Sequence, residues 1–148
     1  MNKSQMIEAL EDAKTTHLNE MKKIEDAIDG KHIENPTPLA KTECECGLWF
    51  YGNEVELKRI LGAQLFERLD QNHENWHKDY LDLCNIFFKE EKKVGFFSKV
   101  LGKNKIDPME IDKAKLYFAQ LQKNTDELVH ISDSALRRLS ALSESKFN

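Results

Sequence analysis

The sequence predicts an all-α protein: an antiparallel four-helix bundle with an additional short helix and a long C-terminal helix. Three observations predict it. Apolar residues recur at spacings of three and four over several long segments, the period of one helix face. Glycine and proline are scarce, 6 and 3 in 148 residues, which disfavours a β-rich or disordered chain. The breaks between the periodic segments are short, as between antiparallel neighbours in a bundle. With 40% hydrophobic and 32% charged residues, the chain is sized for a single domain, 1–148, around one core.

The first helix is expected over Ser4 to Asp29. Met6, Leu10, Ala13, His17, Met21, Ile24 and Ile28 form its seam, and charged residues such as Glu11, Lys14 and Lys22 take the other faces. Gly30 is a natural stop. Thr37 and Pro38 suit the cap and first turn of a second helix running to about Tyr51, with Ala40, Cys44, Gly47, Leu48 and Tyr51 facing inward and Gly47 allowing a neighbouring helix to come close. Asn53 can cap a short helix, Glu54 to Leu61, and Gly62 interrupts the chain again. A long helix follows from about Ala63 to Lys93, its seam being Phe66, Leu69, His73, Trp76, His77, Tyr80, Cys84 and Phe87.

Residues 94–107, with Gly95, Gly102 and several lysines, read as a linker. The stretch 92–105 is basic and apolar together. It reads as a linker folding its phenylalanines onto the bundle or, as a second reading, as a membrane-surface or partner contact. Asp107-Pro108-Met109-Glu110 is a helix start, and the helix expected over 108–145 carries Phe118, Leu121, Thr125, Leu128, Ser132, Ala135, Leu139 and Leu142 on its seam. At ~1.5 Å per residue it would be roughly 50 Å long, more than the second helix can cover. Part of it would therefore be free to pair with another chain.

Composition excludes several functions. The net charge is −4, with 22 basic and 26 acidic residues and no basic block beyond the short 92–105 stretch, so nothing favours nucleic-acid binding. No apolar run approaches the ~20 residues of a transmembrane helix, and the N-terminal residues lack the apolar stretch of a signal peptide, so a cytoplasmic location is expected. Three cysteines cannot all pair within the chain, so free thiols or metal binding are the better readings.

His73 and His77, four apart, project from one helix face about one turn from each other, as a helix chelates a metal with two imidazoles. Two core histidines satisfied by hydrogen bonds are the alternative. His17 and Cys44 also lie on expected inner faces. Three imidazoles and a thiol in one core are costly unless each finds a partner, and one cation supplies it for all four. Three nitrogens and one sulfur form a tetrahedral set, and Zn²⁺ is the expected ion. With a thiolate the site carries a net charge of about +1, and four protein ligands leave no open position, so the site is structural or sensory rather than hydrolytic.

Cys44-Glu45-Cys46-Gly47-Leu48-Trp49-Phe50-Tyr51, preceded by His17 and followed by His73-x-x-x-His77, resembles the chemoreceptor zinc-binding (CZB) domain of bacteria. That family has an N-terminal helix histidine, a Cys-x-x-Gly-x-Trp segment and a later His-x-x-x-His. The resemblance covers roughly residues 13–87 and implies that His17, Cys44, His73 and His77 hold the zinc. There are departures. Cys46 stands where the family usually has Leu or Phe, Leu48 where it usually has Lys, and Glu20 where many members carry Trp. Cys44, three before Gly47 and five before Trp49, fits the family's ligand position. Cys46 is two residues on, about 200° around a helix, and is not expected to share its face. Cys84 reads as a buried apolar residue and His32 as a solvated loop residue, and His130 has no matching partner. Trp49 and Trp76 read as core packing or as a water-excluding shell around the ligands.

The resemblance implies a zinc-binding sensory or regulatory module of bacterial signal transduction, of the chemotaxis or cyclic-di-GMP type. Such a module responds to zinc or to oxidation of the zinc-bound cysteine. It would act through a homodimer or through a chemoreceptor, cyclase or other signalling partner. The alternatives are a zinc-stabilised scaffold or adaptor without a sensing role, and a metal-dependent enzyme. An enzyme would need an open metal position or a separate acid–base pair, and the sequence displays neither.

Overall fold

The structure, a computed structural model, describes residues 1–31, 39–93 and 107–148, and the side chains of these residues other than 88–93. Among these residues five α-helices follow in order: α1 (Lys3–Ile28), α2 (Glu45–Gly52), α3 (Glu54–Leu61), α4 (Ala63–Lys93) and α5 (Pro108–Ala141). A 3₁₀ turn, Glu144–Phe147, closes the chain. Among the described residues there is no strand. The linker expected over 94–107 falls, but for Asp107, outside the described residues, as do the Thr37 and Pro38 cap and His32.

Local chemistry sets the helix starts. Asn2 accepts the backbone N–H of Gln5, whose side chain accepts that of Asn2, a reciprocal cap on α1. The Asp107 carboxylate accepts the N–H of Met109, and Pro108 occupies the first turn of α5, as expected from the sequence. α3 and α4 span the residues expected of them. At Gly62, between them, φ is +86°, a conformation that glycine alone adopts at no steric cost.

α2 departs from expectation. It begins at Glu45, not near Pro38, because residues 40–44 form a turn of their own. Glu43 N–H donates to the Ala40 carbonyl, and Ala40 N–H donates in return to the Glu43 carboxylate. The inner face changes with the start. Gly47 and Phe50 are buried, whereas Leu48, expected inside, is 63% exposed. Gly47 meets the backbone of its own preceding turn rather than another helix. A Cβ there would overlap the Lys41 carbonyl oxygen.

The core has two apolar ends. One gathers Met6 and Leu10 of α1, Phe50 of α2, Leu57 and Ile60 of α3, Leu69 of α4, and Ile131 and Leu139 of α5. The other gathers Ile24 of α1, Trp76, Tyr80 and Leu83 of α4, and Ala114 and Leu121 of α5. α1 and α4 therefore run from the first end to the second, and α5 runs back. α2 descends into the first end, and α3 crosses there to α4. This is the up-down-up-down order of a four-helix bundle, with α2 as a shortened second member and α3 as the additional short helix. α5, with 34 residues, is matched by the 31 of α4, so its length is largely covered. Met109 and Leu116, near its start, stay exposed.

Candidate metal centre

Between the two apolar ends lies a polar layer. On α1 it falls between Leu10 and Ile24, at His17. On α4 it falls between Leu69 and Tyr80, at His73 and His77. All three histidines are buried. Cys44 joins them as the N-cap of α2, its backbone extended with φ −72° and ψ 155°. One donor atom from each of His17, Cys44, His73 and His77 lies within 4.8 Å of every other, and all four residues are buried. The structure thus brings together the four candidate ligands read from the sequence. His130 is exposed on α5 and outside the cluster, and Cys84 is buried in the second apolar end.

Hydrogen bonds aim the rings. His17 Nδ1–H donates to the Ala13 carbonyl at 2.6 Å, and His77 Nδ1–H donates to the Leu39 carbonyl at 2.7 Å. A carbonyl only accepts, so the neutral form of each ring holds its proton on Nδ1 and its lone pair on Nε2. Such an outer bond is what orients an imidazole for metal binding. His73 Nε2 lies 3.4 Å from Cys44 Sγ, close to the separation of about 3.6 Å between sulfur and nitrogen on one tetrahedral zinc. Among the described residues, His77 Nε2 is buried with no hydrogen-bond partner. A buried acceptor left so is costly, and a cation on the far side of the ring removes the cost. The donor set and its orphaned nitrogen fit a zinc ion.

Cys44 is built for the thiolate. Its Sγ accepts the N–H of Gly47 at 3.2 Å, capping α2, so the positive end of the helix dipole favours negative charge on sulfur. The Cys46 thiol holds the Cys44 thiol well below its ordinary pKa; burial opposes this, and the imidazoles of His17, His73 and His77 add to it. Burial, followed by the like charges of His17 and His77, outweighs the pull of Cys44 and lowers the pKa of His73, which keeps that ring neutral. Neutral imidazole and ionised thiolate are the forms that bind metal.

The expectation that Cys46 turns away from Cys44 rests on helix periodicity, which does not reach Cys44. A rotation of about 100° per residue applies only inside a helix. Cys44 is the cap, with extended backbone, so the rule does not span residues 44 to 46. Cys46 is half-buried and lines a cavity of about 20 Å³ together with His17, His73, Trp49 and Phe50.

Aromatic residues enclose the layer. Trp76, 1% exposed, meets His17 edge-on at 4.5 Å and His77 at 5.0 Å, and its indole N–H donates to Thr125 of α5 at 2.9 Å. Tyr51 lies along the His73 ring at 6.3 Å, and its hydroxyl donates to Asp70. Lys41 Nζ bridges Asp70 and Glu74 at 3.1 Å each, tying the turn before Cys44 to α4. α5 places Thr125 and Ser132, but no donor of the cluster, in the buried core.

A helical bundle with a closed set of one thiol and three imidazoles defines a class: a metal-binding bundle whose ion, once held by four side chains, has no position left for substrate. Comparison adds a likeness to a known family. Residues 17–80 match the family model of the chemoreceptor zinc-binding domain. The matched segment begins at His17 and includes Cys44, His73 and His77. It covers rather less than half of the chain, and the resemblance seen in the sequence is shown over that span. Zinc is the metal of that family, and the cluster here is able to hold one ion. Comparison with curated proteins and with solved structures found no match. No helix among the described residues is long and apolar enough to cross a membrane.

Proposed function

We propose that this chain is a zinc-binding sensory module of bacterial signal transduction, with His17, Cys44, His73 and His77 as its ligands. One observation carries the reading: four soft or borderline donors from three separate segments meet in one buried layer. Bound there, zinc would supply a tetrahedral crosslink between α1, α4 and the cap of α2, a bond network worth ~10–16 kcal/mol in apparent terms for small structural sites.

The chain's own residues do the rest. Ala13 and Leu39 carbonyls fix the two imidazoles, the α2 terminus holds Cys44 ionised, and Trp76 excludes water from the layer. The signal is zinc availability or oxidation of Cys44, the one oxidisable donor. The match to a chemoreceptor-type domain supports output to a chemoreceptor, a cyclase or another signalling partner, or through a dimer. Residues 13–87 are the sensory core in this reading, and the helix 108–141 is the element through which its state is passed on. No acid–base pair or open metal position among the described residues supports an enzyme.

Zinc per chain, measured by native mass spectrometry, tests the reading. The wild type is expected to carry one zinc, and Cys44→Ser to lose most of it. Undiminished zinc in that variant rejects the ligand set. The same spectra give the oligomeric state. A tightly bound zinc that oxidant leaves in place would favour a scaffold over a sensor.

A further inference from the structure

We propose that Lys41 is a positioning residue of the metal site: by bridging Asp70 and Glu74 it seats segment 39–44 on α4, and that segment fixes the sulfur of Cys44 and the ring of His77 together. This deepens the zinc-binding reading and rests on it for its purpose, though the seating itself can be measured without metal.

Segment 39–44 meets the ligand cluster at both its ends. At its start the Leu39 carbonyl accepts His77 Nδ1–H at 2.7 Å, which sets the rotation of that ring. At its end stands Cys44, its Sγ 3.4 Å from His73 Nε2. Both imidazoles belong to α4, one turn apart, so the segment lies along that helix. Two braces act on it from within and from α2. Ala40 and Glu43 exchange hydrogen bonds, and the Lys41 carbonyl oxygen lies 1.7 Å from where a Cβ on Gly47 would fall. These shape the segment and join it to α2, but neither reaches α4.

The Lys41 side chain does. Its Nζ lies 3.1 Å from Asp70 Oδ1 and 3.1 Å from Glu74 Oε2. These carboxylates are four apart on α4 and flank His73, on the stripe that continues to His77. The ammonium thus lands on the face of α4 that carries both histidines. Asp70 is held in turn by the Tyr51 hydroxyl at 2.7 Å, and the Tyr51 ring lies 5.5 Å from the Lys41 ammonium. Segment, α2 and α4 therefore meet at one carboxylate. A lone exposed ion pair adds little, but here one ammonium serves two carboxylates in a shared network. The segment has little else to hold it down: of residues 39–44 only Cys44 is fully buried. A segment with so few buried contacts opens easily. Without the Lys41 bridge the open form becomes the commoner one in the metal-free chain. Zinc must then close it, and the apparent affinity falls with the fraction already closed.

The test compares the full-length wild type with Lys41→Met, which keeps the stem near Tyr51 and removes the charge. Zinc affinity, read by competition with a chromogenic chelator, is expected to fall about 3- to 10-fold. In the metal-stripped chain, hydrogen exchange at the Glu43, Cys44 and Gly47 amides should quicken by at least as much, while the amides of α4 around His73 keep their protection. Lys41→Arg should restore both readouts, since a guanidinium also spans two carboxylates. The affinity gap should narrow at about 1 M salt, where exposed charges are screened. Lys22→Met removes a comparable bridge, to Glu25 and Asp26 on α1, and should behave as wild type. Zinc affinity unchanged in Lys41→Met, segment exchange unchanged, or α4 loosened as much as the segment overturns the proposal. A wild type that binds no zinc, with segment exchange quickened in Lys41→Met, rejects the metal reading and leaves the seating intact. Zinc bound alike by both chains, with exchange alike, rejects the seating and leaves the metal reading standing.

Discussion

The two chelating regions of this site are built on different principles. His73 and His77 sit one turn apart on an uninterrupted 31-residue helix, packed at both ends into the apolar core. Their relative position follows from helix geometry alone. Cys44 hangs on a short turn, held by one N–H from Gly47, a close passage beneath that glycine and the Lys41 bridge to α4. The histidines are rigid and chemically inert, and the thiol is local and reactive. A site assembled this way can lose its sulfur without dismantling its nitrogens.

The largest expected effect exploits that division. Cys44→Ser keeps the cap, since a serine hydroxyl accepts the Gly47 N–H better than sulfur does, yet it removes the thiolate. Zinc affinity should fall more than about 100-fold, beyond the 10–100-fold typical of losing an outer partner, while the metal-free melting temperature stays near wild type. Calorimetry with zinc titration separates the two. A matching loss of metal-free stability would mean that the turn and the bundle are not independent.

Gly47→Ala attacks the turn instead of the sulfur. Its methyl would overlap the Lys41 carbonyl, and that obstacle is backbone, so the turn must move. The cost should lie toward the upper end of the ~1–3 kcal/mol of overpacked sites. Zinc binding should weaken with it although every ligand remains. Unchanged affinity would show that Cys44 is placed by the metal and not by the turn.

Acidification sharpens the histidine side. Burial holds the pKa of His73 below its ordinary 6.5, so the folded chain binds fewer protons than the unfolded one as pH falls. The stability of metal-free protein should be level above about pH 7, fall as the pH drops below about 6.5, and level off below the folded-state pKa. Chemical denaturation at several pH values reads this directly. His73→Gln should flatten the slope, and a wild type with no slope would place His73 in contact with water.

The smallest effect is expected on α5. Thr125→Val keeps volume but strips the buried Trp76 indole of its acceptor, which should cost toward the lower end of ~1–3 kcal/mol. Since α5 adds no donor, zinc affinity should change far less than in Cys44→Ser. A comparable change would show that α5 senses the metal through Trp76.

What the sequence disclosed follows the same division. α1, α4 and α5 have unbroken seams, and periodicity placed Met6, Leu10, His17 and Ile24 on the inner face of α1 and Leu69, His73, His77 and Tyr80 on that of α4. Cys44 was legible as a candidate, but its position was not: it is a cap, not an interior residue. The error carried on to Leu48, expected inside yet exposed, and to Phe50, which was passed over and stacks on Phe66 at 4.4 Å. Periodicity assumes a continuous helix, and the Ala40–Glu43 bonds that delay α2 compete with it through a glutamate side chain, which leaves no period. Cysteine is also not among the usual N-cap residues, so the start of α2 carried little signal.

The polar layer between two apolar ends has a consequence for how the helices line up. Leucines and isoleucines tolerate sliding, since one apolar side chain replaces another. Imidazoles do not. If α1 slipped along α4 by one turn, about 5.4 Å, His17 would leave its ring contacts with His73 and Trp76 and face the apolar neighbours of one end. A buried polar ring would be stranded there, while the orphaned His77 nitrogen would gain nothing. The layer therefore marks height along the bundle as a notch marks height on a rule. It selects one alignment of α1 and α4 while the chain folds, before any ion arrives to be held.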